Sequence, residues 1–139
     1  MSKLYNSLPI TGIAKTITDI MGIDAPKQAE QSTDIICNSA KAFFGDKNID
    51  RVFMYNPDAI ALWIFQKHTA LFEKAFLQSN IQIPMLSVMP SVTPVCFASM
   101  YTGTMPDIHG IQTYEKPILR TDTVFDALIR AGMKPAIVI

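Results

Sequence analysis

Ile83-Pro84-Met85-Leu86-Ser87-Val88-Met89-Pro90-Ser91-Val92-Thr93-Pro94-Val95-Cys96-Phe97-Ala98-Ser99-Met100-Tyr101-Thr102-Gly103 carries the change of periodicity on which the fold turns. Residues 83–89 form a short apolar run and read as a strand. Thr93 to Tyr101 then read as a short helix. Pro94 suits its first turn, and Gly103 closes it. Upstream, Val52-Phe53-Met54-Tyr55 is uninterrupted and rich in β-branched and aromatic residues, as a central strand should be. Asn56-Pro57-Asp58 ends it, and residues 59–78 take up helical spacing through Ile60, Trp63, Ile64, Leu71, Phe72 and Phe76. Downstream, residues 104–121 are the least patterned. A helix is expected over 123–131 behind Asp122 as N-cap, with Gly132 after it and a last strand at 135–139. Nearer the start, helices are expected over 9–22 and 26–44, stopped by Gly22 and Gly45. Strands alternating with helices predict an α/β fold: a layered, largely parallel sheet with helices on both faces, built as one domain of 1–139.

Composition narrows the function. The chain has 139 residues, 49% hydrophobic and 17% charged, which is enough apolar material for a core. Its formal net charge is zero, so it lacks the basic footprint of a nucleic-acid binder. The two cysteines, Cys37 and Cys96, are too few for a disulfide framework and are expected as buried thiols of a reducing compartment. The longest apolar run, Ala59 to Phe65, is far shorter than the roughly 20 residues that cross a bilayer. With no signal peptide visible, a cytoplasmic protein with no membrane contact is expected. The ending Lys134-Pro135-Ala136-Ile137-Val138-Ile139 reads as a core strand without a polar tail, which is expected of an incomplete domain.

Two residues stand where a strand meets a helix, the place where open α/β sheets bind ligands. Asp58 follows the first strand, and Thr93 the second. A helix N-terminus offers N–H groups and a positive dipole end, suited to an anion such as phosphate. Each residue has two readings. Thr93 is either a helix cap or a nucleophile that needs a base or metal to activate it. Asp58 is either a cap or a carboxylate ligand for a hard or borderline divalent cation.

The run Pro90-Ser91-Val92-Thr93, followed by a helix to Thr102-Gly103 and then Pro106-Asp107-Ile108-His109-Gly110-Ile111, resembles the nucleophile region of the alkaline phosphatase superfamily. It is most similar to the type I phosphodiesterase and nucleotide pyrophosphatase branch, whose pattern is Pro-Ser/Thr-x-Thr, a helix to Thr-Gly, then Pro-x-x-His-Gly-Ile. Asp122 to Gly132 is similar to the next family element, a helix ending in Ala-Gly before a strand. The likeness covers roughly residues 50–139, and residues 1–48 form a helical lead-in that carries none of it.

The resemblance implies a metal-dependent phosphoesterase or phosphodiesterase acting on a small phosphate ester. In it Thr93 would be both nucleophile and metal ligand, and Asp58 the first aspartate of the metal site. The family has Asp-Gly at that point, where this chain has Asp58-Ala59. His109 matches the structural turn of the pattern and not a ligand histidine. The likeness also implies two divalent ions, zinc or manganese, about 4 Å apart in the complete protein. The further aspartates and histidines of that site, an Asp-x-x-x-His pattern and an Asp-His pair, do not occur in this sequence. This portion alone is therefore expected to be inactive and without bound metal. Two alternatives stand beside the hydrolase: a phosphomutase of the same superfamily, and a non-catalytic remnant that binds a partner or forms a homo-oligomer through an open sheet edge.

Overall fold

The computed structural model describes residues 8–115 and 117–138. In chain order the helices are α1 (Gly12–Met21), α2 (Asp34–Phe44), α3 (Leu62–Lys67), a 3-10 helix (Thr69–Phe72), α4 (Glu73–Gln78), α5 (Thr93–Thr102), α6 (Pro106–His109) and α7 (Val124–Arg130). They fall into two compact units. One holds the described residues up to Val52 and from Met85 onward, and the other is Phe53–Pro84.

In the larger unit α1 packs against α2, α5 and α7. Its buried residues are Gly12, Ala14, Thr16, Thr18 and Met21, while Ile13, Ile17 and Ile20 are only half-buried. The inner face is thus small and hydroxylated, and each hydroxyl is satisfied. Thr16 donates to the Gly12 carbonyl at 2.7 Å and accepts the Thr33 N–H at 2.7 Å. Thr18 donates to the Lys15 carbonyl at 3.0 Å, and Thr11 donates to the Glu30 carboxylate. Bulk is excluded here because neighbouring backbone comes close: a Cβ on Gly12 would lie 3.1 Å from the Gln31 carbonyl oxygen. A second cluster gathers Val88, Val95, Ala98 and Ile111, with Ile10, Val92, Cys96 and Leu119 packed against it.

The predicted sheet is absent among the described residues. They contain one isolated parallel bridge, Pro9 to Leu86, made by Ile10 N–H to Leu86 O at 2.9 Å and Leu86 N–H to Leu8 O at 2.8 Å. The layered, largely parallel α/β reading is therefore corrected to a helical arrangement. Two physical reasons account for it. A strand is held by its neighbours' amides, and proline lacks one. Each apolar run is bounded or interrupted by proline: Pro57 after 52–55, Pro84 and Pro90 around Leu86, and Pro135 at the start of the last run. Burial on both faces is missing as well, with Phe53 91% and Val138 95% exposed. Ile139, the end of the expected last strand, lies outside the described residues.

Other boundaries moved for local reasons. The second helix begins at Asp34, not at residue 26. The amides before it are taken elsewhere: Glu30 N–H goes to Gly103 O at 2.7 Å, and Thr33 N–H to Thr16. Asp122 is not the N-cap of α7. Thr123 is, in a reciprocal capping box with Asp126. The Asp122 carboxylate instead takes both arms of the Arg130 guanidinium, at 2.6 and 2.8 Å, and the Lys27 N–H at 2.9 Å. The guanidinium holds its carboxyl below the ordinary range. Both cysteines are free and half-buried, and burial pushes the Cys37 thiol up. Met89 and Met105 are exposed.

In the smaller unit the single helix expected over 59–78 is broken at His68, which is exposed. In a continuous helix Phe65 and Phe72 would be about 10 Å apart along the axis. The break lets their rings stack at 4.0 Å, with Phe76 5.8 Å from Phe65. The Thr69 hydroxyl caps the end of α3 by donating to the Phe65 carbonyl at 2.9 Å. Among the described residues no helix is long and apolar enough to cross a membrane.

Candidate active site

Thr93 opens α5 in the larger unit and is half-buried. Val92, extended at φ −119° and ψ 152°, is the N-cap, so Thr93 is the first helical residue and Pro94 the second. The capping reading of Thr93 is thereby set aside on geometry, since a cap residue lies outside the helical dihedrals. The first regular helical bond above it is Cys96 N–H to Val92 O at 3.0 Å. No residue of α5 is charged, so nothing on the helix itself neutralises its positive N-terminal end.

The far end of α5 is fixed by a closed polar network. The Thr102 hydroxyl donates its only proton to the Ala98 carbonyl at 2.8 Å. It must therefore accept from the Thr104 hydroxyl at 2.8 Å and from the Thr104 N–H at 3.2 Å. Gly103 between them takes the left-handed conformation at φ +73°. Its carbonyl receives the Glu30 amide, so the segment before α2 straps the helix end.

His109 sits at the end of α6 and is buried. Its Nδ1 lies 3.1 Å from the Ile111 amide and its Nε2 2.9 Å from Ser99 Oγ on α5. The sequence reading of His109 as a turn residue did not find Ser99, since a serine ten residues upstream of a histidine carries no signal by spacing.

Asp58 lies in the smaller unit, in an exposed turn, with Oδ1 accepting the Ala59 N–H at 2.8 Å. Ala59 has φ +57° and is the non-glycine residue with positive φ among those described. The backbone here adopts a conformation that glycine enters without steric cost. Ala59→Gly is accordingly expected to stabilise this unit by about 0.5 kcal/mol: about 1 kcal/mol of relieved strain, less the glycine's greater freedom when unfolded. Trp63, the one tryptophan, lies in the same unit and reports its unfolding by fluorescence. A transition at lower denaturant would show that Ala59 is unstrained.

The two sequence-predicted residues thus fall in different units, Thr93 in the larger and Asp58 in the smaller. Carboxylate and hydroxyl oxygens suit hard divalent ions, but two donors are too few for a two-metal centre. Among the described residues there is no group of three or more His, Cys, Asp or Glu that could hold a metal. These residues alone therefore do not fit the implied pair of ions. A cleft of about 330 Å³ opens elsewhere in the larger unit, lined by Asp19, Ser32, Cys37, Lys41 and Asn48 among others, and Thr93 is not part of it.

Residues 57–126 match the family described as type I phosphodiesterase / nucleotide pyrophosphatase. That span contains Asp58, Thr93, Ser99 and His109. No curated protein and no solved structure matches the chain.

Proposed function

Because the chain belongs to the type I phosphodiesterase / nucleotide pyrophosphatase family, we propose that it carries the nucleophile of a phosphoester hydrolase, and that this nucleophile is Thr93. The observation that supports the reading best is the position of Thr93 at the first turn of an uncharged helix, inside the matched span. Helix N–H groups and the dipole there favour the oxygens of a phosphoryl group.

In the reaction the Thr93 Oγ–H bond breaks, Oγ bonds to phosphorus, and the ester oxygen leaves from the opposite side with a proton. Water then attacks phosphorus, the Oγ–P bond breaks, phosphate departs and a proton from that water restores the Thr93 hydroxyl. Threonine at its ordinary acidity is a weak nucleophile, so the step needs an activator. A divalent cation, zinc or manganese, would supply that activation by lowering the hydroxyl pKa, and the Asp58 carboxylate is of a type that suits such an ion. The left-handed residue after Asp58 supports that assignment, since the family has glycine there. The substrate is a small phosphate ester, and the protein works in the cytoplasm.

The test uses the full reading frame with bis-p-nitrophenyl phosphate and p-nitrophenyl phosphate. Nitrophenolate release that stops on chelation is expected, together with a phosphoryl adduct on the Thr93 peptide after rapid quenching and mass spectrometry. Turnover with the adduct on another residue would move the nucleophile away from Thr93.

A further inference from the structure

His109 and Ser99 have no part in the chemistry above, yet both are buried, at 6% and 0% exposure. Their hydrogen bonds fix the state of the ring. The Ile111 amide can only donate, so Nδ1, 3.1 Å away, must be its acceptor and bears no proton. The ring proton therefore sits on Nε2 and is donated to Ser99 Oγ at 2.9 Å. His109 is neutral and ties three parts together: α6, the segment entering the core at Ile111, and α5. Ile111 packs with Val95 and Ala98 of that same helix. Ser99 is six residues, about 9 Å of helix, beyond Thr93.

We propose that neutral His109 is a positioning residue, holding the helix that bears Thr93 in register and releasing it on protonation, so that the site is gated by pH. This inference rests on the assignment of Thr93 as nucleophile for its consequence in catalysis, though not for the device itself.

A second proton on Nδ1 would point one N–H at another. Burial already lowers the pKa of the ring, and the nearby Asp107 partly opposes this. α5 brings no charged side chain against the ring, and its titratable groups are Cys96 and Tyr101. The segment after α6 has the exposed Tyr114 and no charged residue before Glu115. With the folded value depressed, the neutral ring's contribution is full above its ordinary value of 6.5. It is lost as pH falls through the lower folded value.

Two readouts on the chain itself decide the matter. Nitrogen-15 spectra of the imidazole should show the Nε2–H tautomer at neutral pH. Hydrogen exchange at Ile111, corrected for intrinsic rates, should lose about tenfold in protection as pH falls from about 7.5 through the depressed folded value, the factor expected of one buried hydrogen bond. His109→Gln, which keeps a donor for Ser99 but does not titrate, should remove that dependence. A proton on Nδ1, or the same pH dependence in wild type and His109→Gln, would overturn the inference. In the full reading frame, wild-type kcat should fall against that of His109→Gln over the same window, with KM unchanged. Absence of turnover in both would count against the Thr93 reading alone, and the amide measurement would still decide this one.

Discussion

Gly103→Ala is expected to destabilise the larger unit by about 4 kcal/mol, a large share of the stability of a small domain. Two costs combine. At φ +73° a side chain meets its own backbone, which costs about 1–2 kcal/mol. The added Cβ would also lie 2.7 Å from Ala29 Cβ, 3.0 Å from Ala29 Cα and 3.3 Å from Ala14 Cβ. The Ala29 contact includes backbone, so rotating a side chain cannot relieve it. The strap must shift, and the Glu30 amide bond to Gly103 O would lengthen with it. Gly132 separates the two costs, because it has φ +75° and nothing within 4 Å of an added Cβ. Gly132→Ala should therefore show only the conformational part, about 1–2 kcal/mol. Urea unfolding followed by far-ultraviolet dichroism measures both. Equal losses at the two positions would mean that the strap does not press on the helix end.

Thr93→Ala is expected to lower phosphoester turnover by at least about a thousandfold, as removal of a nucleophile does when the rest of a site persists. Thr93→Ser should retain a measurable fraction, because the attacking oxygen is kept and only the methyl is lost. Stability should change by no more than about 1 kcal/mol in either variant, since Val92 and not Thr93 occupies the capping position. That separation of activity from stability is what the two variants test. Full turnover in Thr93→Ala would remove the nucleophile assignment. A fall in activity matched by unfolding would mean that the threonine serves the helix and not the chemistry.

The parts of the fold that were legible in the sequence are those governed by local rules. Gly22, Gly45 and Gly103 end helices where expected, and Pro94 stands in the first turn of α5. The family likeness was also legible, because the run from Pro90 to Ile111 fixes several residue types at set intervals. What failed depended on partners. Val52 to Tyr55 has the composition of a central strand, but composition does not supply a neighbour to pair with. The start of α2 moved because Gly103 and Thr16 claim the amides of Glu30 and Thr33, contacts across many residues. The inner face of α1 was not legible either, because the close approach of residues 31–33, which demands glycine and threonine there, is a contact that hydropathy does not encode. At the site, Thr93 and Asp58 were visible as junction residues. Ser99 was not, because its meaning comes only from a ring ten positions away.

The hydroxyl-lined interior described for α1 and the end of α5 has a thermal consequence. Among the described residues the largest fully buried side chains are Val95, four threonines (Thr11, Thr18, Thr102 and Thr104) and Ser99, with no leucine or phenylalanine in that set. Unfolding such an interior hydrates hydroxyls and carbonyls along with methyl groups. Polar hydration lowers heat capacity whereas apolar hydration raises it, so the hydroxyls offset part of the apolar increment. The heat-capacity increment of this unit is then small for its length, and its stability curve is broad and shallow. Cooling therefore weakens it less than it would weaken an interior of leucine and phenylalanine.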